Sequence, residues 1–213
     1  MNNRLFLVLA FAVSVLFTGD LWLSAAPVEM EKSVAETFAS PDGNISLTFT
    51  LTNGTPAYAV SLKQRPVILS SPLGFILKDG SMKTGFTLLD ARKSSKDETW
   101  TQPWGEQKEV RPHYNELAVT LQQTDDQQRK LRIIFRVFND AIAFRYEWPE
   151  QANLKNFEIM DELTAFVLPS DPVALWQPAF RPQASEQLYA KTRLSELLRQ
   201  TRLQHGDATA GDN

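Results

Sequence analysis

The side chains best suited to chemistry lie in two stretches. From Trp100 the chain reads Trp-Thr-Gln-Pro-Trp-Gly-Glu, and from Val110 it reads Val-Arg-Pro-His-Tyr-Asn-Glu. Within them Trp104, Glu106, His113, Asn115 and Glu116 combine flat ring faces with carboxylates and amides. Those are the residue types that stack on sugar rings and hydrogen-bond their hydroxyls. A polar loop pinned by two tryptophans is the plainer reading. In the second stretch Trp176 and Phe180 precede Ser185-Glu186-Gln187-Leu188-Tyr189, and by itself Glu186 reads as a surface glutamate. Glycoside hydrolysis needs two carboxyl groups about 5 to 9.5 Å apart. Glu106 with Glu116, or Asp161 with Glu162, are the pairs on offer, and neither has a motif behind it. There is no Gly-rich phosphate loop, metal-spaced His pair or Gly-x-Ser-x-Gly elbow. A His-based triad would rest on His113 alone, because His205 lies in a polar tail. The sequence therefore carries no complete catalytic centre.

The elements that must position these residues read as strands. Ile45, Leu47, Phe49 and Leu51 alternate with Ser46, Thr48 and Thr50; Asn53-Gly54 then turns the chain into Tyr58, Val60 and Leu62. Spacing of two with an Asn-Gly turn predicts a hairpin. Pro41-Asp42-Gly43 predicts a turn upstream, after extended Thr37 to Ala39. Leu117 to Leu121, Leu131 to Val137 and Ile142 to Trp148 repeat the alternation, with turns at Thr124 to Gln128 and at Asn139-Asp140. Charges on the other face of these strands (Arg132, Arg136, Arg145, Glu147) fit a solvated surface or cross-strand pairs. Lys93 to Glu98 and Glu150 to Asn156 read as surface loops, and Glu186 to Gln200 as a helix. The fold expected is all-β: a large antiparallel sandwich, supersandwich-like, with a signal helix before it and a short helical then disordered tail.

Composition excludes several classes. Lys+Arg at 22 against Asp+Glu at 25 argues against nucleic acid as a partner. Zero cysteines exclude a disulfide framework and any thiolate metal site. Arg4, the apolar run Leu5 to Phe17 and the small residues Ser24-Ala25-Ala26 have the order of a secretory signal, shorter than the roughly 20 residues of a spanning helix. Export is expected, with membrane contact through that segment alone. The chain divides into a signal peptide (1–26), a sandwich (27–196) and a divergent tail (197–213).

Seven short pieces, in order, carry a resemblance: Ser40-Pro-Asp-Gly43, Ser71-Pro-Leu-Gly74, Trp104-Gly-Glu106, Val110-Arg111 with His113-Tyr-Asn-Glu116, Phe135-Arg136 with Phe138-Asn-Asp140, Ala143-Phe-Arg-Tyr-Glu147 and Glu186-Gln-Leu-Tyr189. Together they resemble the N-terminal domain of family 97 glycoside hydrolases, bacterial α-glucosidases and α-galactosidases. The resemblance implies a sandwich that lends residues to the rim of a centre held by a (β/α)8 barrel. It also implies an α-linked oligosaccharide as substrate and a periplasmic, or outer-membrane associated, location. Glu186 matches a glutamate that ligates calcium in family members, so calcium belongs to a full-length enzyme and none is expected on this chain alone. The sequence departs from the family at Ala141, where Gly follows Asn-Asp, and at Arg193, where Pro stands in a Thr-Pro-Leu-Ser stretch. After Glu196 the motifs stop, which suggests a truncated or frame-shifted product without its own centre. A freestanding carbohydrate-binding sandwich and a structural envelope protein are the competing readings.

Overall fold

A computed structural model describes residues 33–177 and 188–197, all within one compact unit, residues 31–213. The signal segment, Glu186 and most of the tail lie outside the described residues. Two four-stranded antiparallel sheets make the body. The first, in the order β1-β2-β3-β4, is built from Ser33–Ala39, Ile45–Thr52, Thr55–Leu62 and Arg65–Pro72. The second, in the order β12-β11-β10-β7, is built from Ile142–Glu147, Lys130–Phe138, His113–Gln123 and Phe86–Asp97. A small sheet, β13-β5-β6, joins Ile159–Glu162, Phe75–Leu77 and Gly80–Met82, while β8 (Trp100–Thr101) with β9 (Glu109–Val110) and β14 (Val173–Trp176) with β15 (Ala190–Arg193) form two ribbons.

The alternation read in the sequence is the packing pattern. β2 buries Ile45, Leu47, Phe49 and Leu51, and β10 buries Leu117, Val119 and Leu121. Between the sheets Phe49 and Tyr58 meet Phe135 and Phe144, with centroids 6.1 Å apart for Phe49–Phe135 and 5.4 Å for Tyr58–Phe144. The small sheet is held by Phe75, 4.6 Å from Tyr146 and 4.8 Å from Trp148. The outer face of the second sheet carries the expected cross-strand pairs, Arg136 with Glu116 at 2.7 Å and Arg132 with Glu147 at 3.8 Å.

Backbone geometry accounts for the Asn53-Gly54 turn and for one motif piece. Asn53 and Gly54 both have positive φ, 48° and 75°, the conformation a two-residue hairpin turn requires. At Gly74, φ is 147° and a Cβ would stand 2.6 Å from the Met82 carbonyl oxygen, so this crossing of Ser71-Pro-Leu-Gly74 over β6 needs glycine. Ala141 needs no glycine, because positive φ is absent from the Asn139 to Ala141 turn.

Two expectations fail. Lys93 to Asp97 is not a loop but the end of β7. Both faces there are polar because the strand lies at the sheet edge, which hides its period. Ala190–Arg193, inside the expected helix, is a strand paired with β14, and a single 3₁₀ turn (Leu194–Glu196) follows. Strand pairing outweighs the loose leucine spacing of that segment. The segment Arg65 to Met82, unread in the sequence, supplies three strands.

Phe135 is fully buried against three rings. Replacing it by alanine is expected to cost about 3 to 5 kcal/mol, read as a lowered urea midpoint. An unchanged midpoint would show that the two sheets do not depend on this contact.

Candidate functional site

Four of the seven motif pieces converge on one end of the sandwich. In the β1–β2 turn the Ser40 hydroxyl donates to Asp42 Oδ1 at 2.6 Å, the Asn44 amide donates to the same oxygen at 3.0 Å, and Asn44 Nδ2 donates to Asp42 Oδ2 at 2.6 Å. The Asp42 backbone N–H donates across to Asn139 Oδ1 in the β11–β12 turn, 3.0 Å away. Asn115 Nδ2 donates to the Ala39 carbonyl at 2.8 Å. These two bonds tie the ends of the two sheets together.

The strand's alternation divides the sequence-predicted residues. On β10, His113 and Asn115 share the side of the core residues Leu117 and Val119, so they stand where the two sheets end. Glu116 faces the other way. It accepts from Arg136 Nε at 2.7 Å, and that guanidinium lies 4.6 Å from the centroid of the Tyr114 ring. Tyr114 is itself covered by Phe138, 5.1 Å away. Glu116 is thus held in an ion pair on the outer face, apart from His113 and Asn115.

Trp104 and Glu106 sit on the β8–β9 ribbon, which leaves β7 after Asp97 and returns into β10. Its root is fixed by Arg111, whose Nε and Nη2 both donate to the Asp97 carboxylate at 2.7 Å. Lys96 pairs with Glu98 alongside, at 2.7 Å. Toward the tip the Gln102 side chain donates to the Gln107 carbonyl, and Gly105 takes φ 141°. The indole of Trp104 stands 85% exposed. An indole left so bare is a candidate binding surface at this end, since tryptophan is highly buried on average.

The charges are tuned by these contacts. The Ser40 hydroxyl, then the Asn44 amide and side chain, hold the Asp42 carboxyl below the ordinary carboxylate value. The hydrogen bonds from Arg111 do the same to Asp97, and Glu98 raises Lys96. The two carboxylate pairs considered for hydrolysis gain no support. Glu106 is exposed at the ribbon tip, Glu116 is paired with Arg136, and Glu162 on β13 accepts from the Thr164 hydroxyl at 2.7 Å.

Calcium takes six to eight oxygen ligands. Among the described residues no three acidic or histidine side chains gather as a metal site, and Glu186 lies outside them.

Asp42, Asp97, Asn139 and Arg111 are contacts the sequence did not single out by role. Pro41-Asp42-Gly43 signalled the turn, but nothing in it named Asn139 as the partner.

Fold and site together define a β-sandwich domain with one polar, indole-bearing end. The chain belongs to the family described as Glycosyl-hydrolase 97 N-terminal, which it matches over residues 38–209, past Glu196 where the resemblance read in the sequence stops. Among curated proteins it is 29% identical, over 139 residues, to a retaining α-galactosidase of Bacteroides thetaiotaomicron, covering 65% of this chain and 20% of that protein. Among solved structures, a family 97 enzyme of Pseudoalteromonas sp. strain K8 in complex with acarbose superposes with a TM-score of 0.71 at 35% identity, covering 76% of this chain and 25% of that one. A variant of that enzyme with panose gives 0.69 and 36%, covering 74% and 24%. A β-arabinopyranosidase gives 0.65 at 26% identity, covering 73% and 26%. The chain thus spans about a quarter or less of each of these relatives.

Because its folded-state value is depressed, the Asp42 carboxylate stabilises the end turn above the unfolded value of about 3.9 and loses that effect as pH falls through the lower folded value. An NMR titration of the Asn44 amide is expected to show a midpoint below 3.9, and Asp42→Ala should abolish the transition. A midpoint at or above 3.9 would contradict the turn geometry.

Proposed function

We propose that this chain is the domain of a family 97 α-glycosidase that lends a rim to a centre completed by a (β/α)8 catalytic barrel. In this reading it holds α-linked oligosaccharide with Trp104, Glu106, His113 and Asn115. The single observation that carries the reading is the exposed Trp104 indole on a ribbon rooted by Arg111 and Asp97, beside the end where Asn115, Asn139 and Asp42 join the sheets. A flat ring offered to solvent at a polar end suits a sugar, whose faces are apolar and whose edges carry hydroxyls. The panose and acarbose complexes of the Pseudoalteromonas enzyme support an α-glucan-like ligand. Glu116 drops to a positioning part, because its carboxylate is engaged by Arg136. Hydrolysis belongs to the barrel, and this chain supplies contacts. Glu186 in Glu-Gln-Leu-Tyr remains the residue proposed to reach calcium once the barrel brings the other oxygens. Export to the periplasm through residues 1–26 agrees with a role in oligosaccharide breakdown.

The test joins this chain to the catalytic module of a family 97 relative and titrates panose. Trp104→Ala is expected to weaken binding about fivefold to tenfold, the size of one lost ring contact of about 1 kcal/mol. The melting temperature of the chain should be unchanged, since the indole is bare. Equal affinity of the variant and the parent would refute the rim assignment. Full panose affinity of the chain by itself would favour a freestanding binder.

A further inference from the structure

At the end of the sandwich away from Asn139, the chain leaves β12 at Trp148 and runs through a loop, 149–157, before Glu158 and β13. Between that loop and Trp148 lies a cavity of about 880 Å³, inside the range of roughly 300 to 1,000 Å³ usual for small-molecule sites. Trp148, Leu154 and Phe157 give it an apolar lining, and Glu150 and Lys155 stand exposed among its polar residues. The two rings pack together with centroids 5.0 Å apart, and each stays only partly buried. The loop is held in place. Gln151 Oε1 accepts from the Lys130 amide at 2.8 Å, Gln151 Nε2 donates to the Lys130 carbonyl at 2.9 Å, and the Asn153 side chain donates to the Gln127 carbonyl. Past Phe157, the Glu158 carboxylate accepts from the Lys78 ammonium at 3.0 Å. A site already formed loses little freedom when a ligand enters.

We propose that this cavity is a second saccharide site, separate from the Trp104 end, where an uncharged sugar lies against Trp148 and Phe157 between Glu150 and Lys155. The inference goes beyond the rim assignment and does not need it. Three observations choose the ligand. Partly bare ring faces suit the apolar face of a sugar ring. Glu150 offers an acceptor and Lys155 a donor to hydroxyls that can both donate and accept. Among the described residues neither is engaged in an ion pair, and their opposite charges favour neither an anion nor a cation. The third observation is Trp148 Nε1, which is buried without a hydrogen-bond partner. A covered indole N–H usually has one. A sugar hydroxyl that parts the lip of the cavity supplies the missing acceptor.

Titrating the 213-residue chain with panose and following its indole N–H signals by heteronuclear NMR tests this, with Trp148→Phe assigning the Trp148 signal by deleting it. The expected result is a saturable shift of that signal, in the parent chain and equally in Trp104→Ala. Glu150→Ala and Lys155→Ala should each weaken the response about fivefold, the size of one hydrogen bond. Neither should move the melting temperature, since both side chains are exposed. A Trp148 signal that stays put while the Trp104 signal shifts would overturn this site and leave the rim reading intact. The reverse pattern would support the site and remove the rim. Parent-like titration of both variants, or an equal shift with inorganic phosphate, would overturn the saccharide assignment.

Discussion

Everything in this molecule depends on four rings meeting between two sheets. Phe49 and Tyr58 come from the first sheet, and Phe135 and Phe144 from the second, with tilted contacts of 5.4 to 6.2 Å. Large rings bury more apolar area per residue than any other side chain, and tilted pairs add a favourable quadrupole interaction. With no disulfide available, the sheets are held by burial and not by covalent bonds. The Tyr58 hydroxyl, which burial would otherwise strand, donates to the Ala165 carbonyl at 3.1 Å. That bond carries the chain from the small sheet back over the seam, where Phe166 meets Tyr58 edge-on and Phe144 at a tilt.

Once the sheets are fixed in this way, their ends have few ways to meet. At one end they are joined by polar contacts between turns and not by rings. Asn115 reaches the Ala39 carbonyl, and the Asp42 amide reaches Asn139. Along the margin the Lys93 ammonium bridges to Glu36 of the other sheet at 3.0 Å. Each of these is exposed enough to be weak alone. Their effect is geometric, because they set the spacing of turns whose strands are already held elsewhere. The same division explains the ribbon that carries Trp104. Its strands are two residues each, too short to be stable unaided, and the bidentate Arg111–Asp97 pair fixes its root.

The sequence exposed the central hairpins because one face of each strand is apolar and the other is not. Ile45 to Leu62 and Leu117 to Glu147 could be read almost residue by residue. What stayed hidden has definite physical causes. β7 is polar on both faces beyond Ala91, so no period marks it. The 190–193 strand owes its form to Val173–Trp176, a partner distant in the chain. The split of Glu116 from Asn115 is a consequence of strand alternation that was legible in principle, but assigning Glu116 to Arg136 needed the register of β10 on β11. The family pieces marked where the polar end lies. Which of them touch, and which face apart, is a matter of pairing between segments nearly a hundred residues away from each other, as with Asp42 and Asn139.

The bond between the Asp42 amide and Asn139 has one more consequence. It couples the lengths of two turns on opposite sheets, so neither can gain or lose a residue without releasing the other. Among the described residues the turn from Thr124 to Gln128, at the far end of β10, has no direct bond to the first sheet's turns, although Thr124 donates to the Gly85 carbonyl and Phe86 to that of Gly54. It is open to water at Asp125 and Asp126. Insertions, tags and evolutionary drift in length should therefore collect at Asp125 and Asp126, while the end bearing Asn115 keeps its loop lengths fixed.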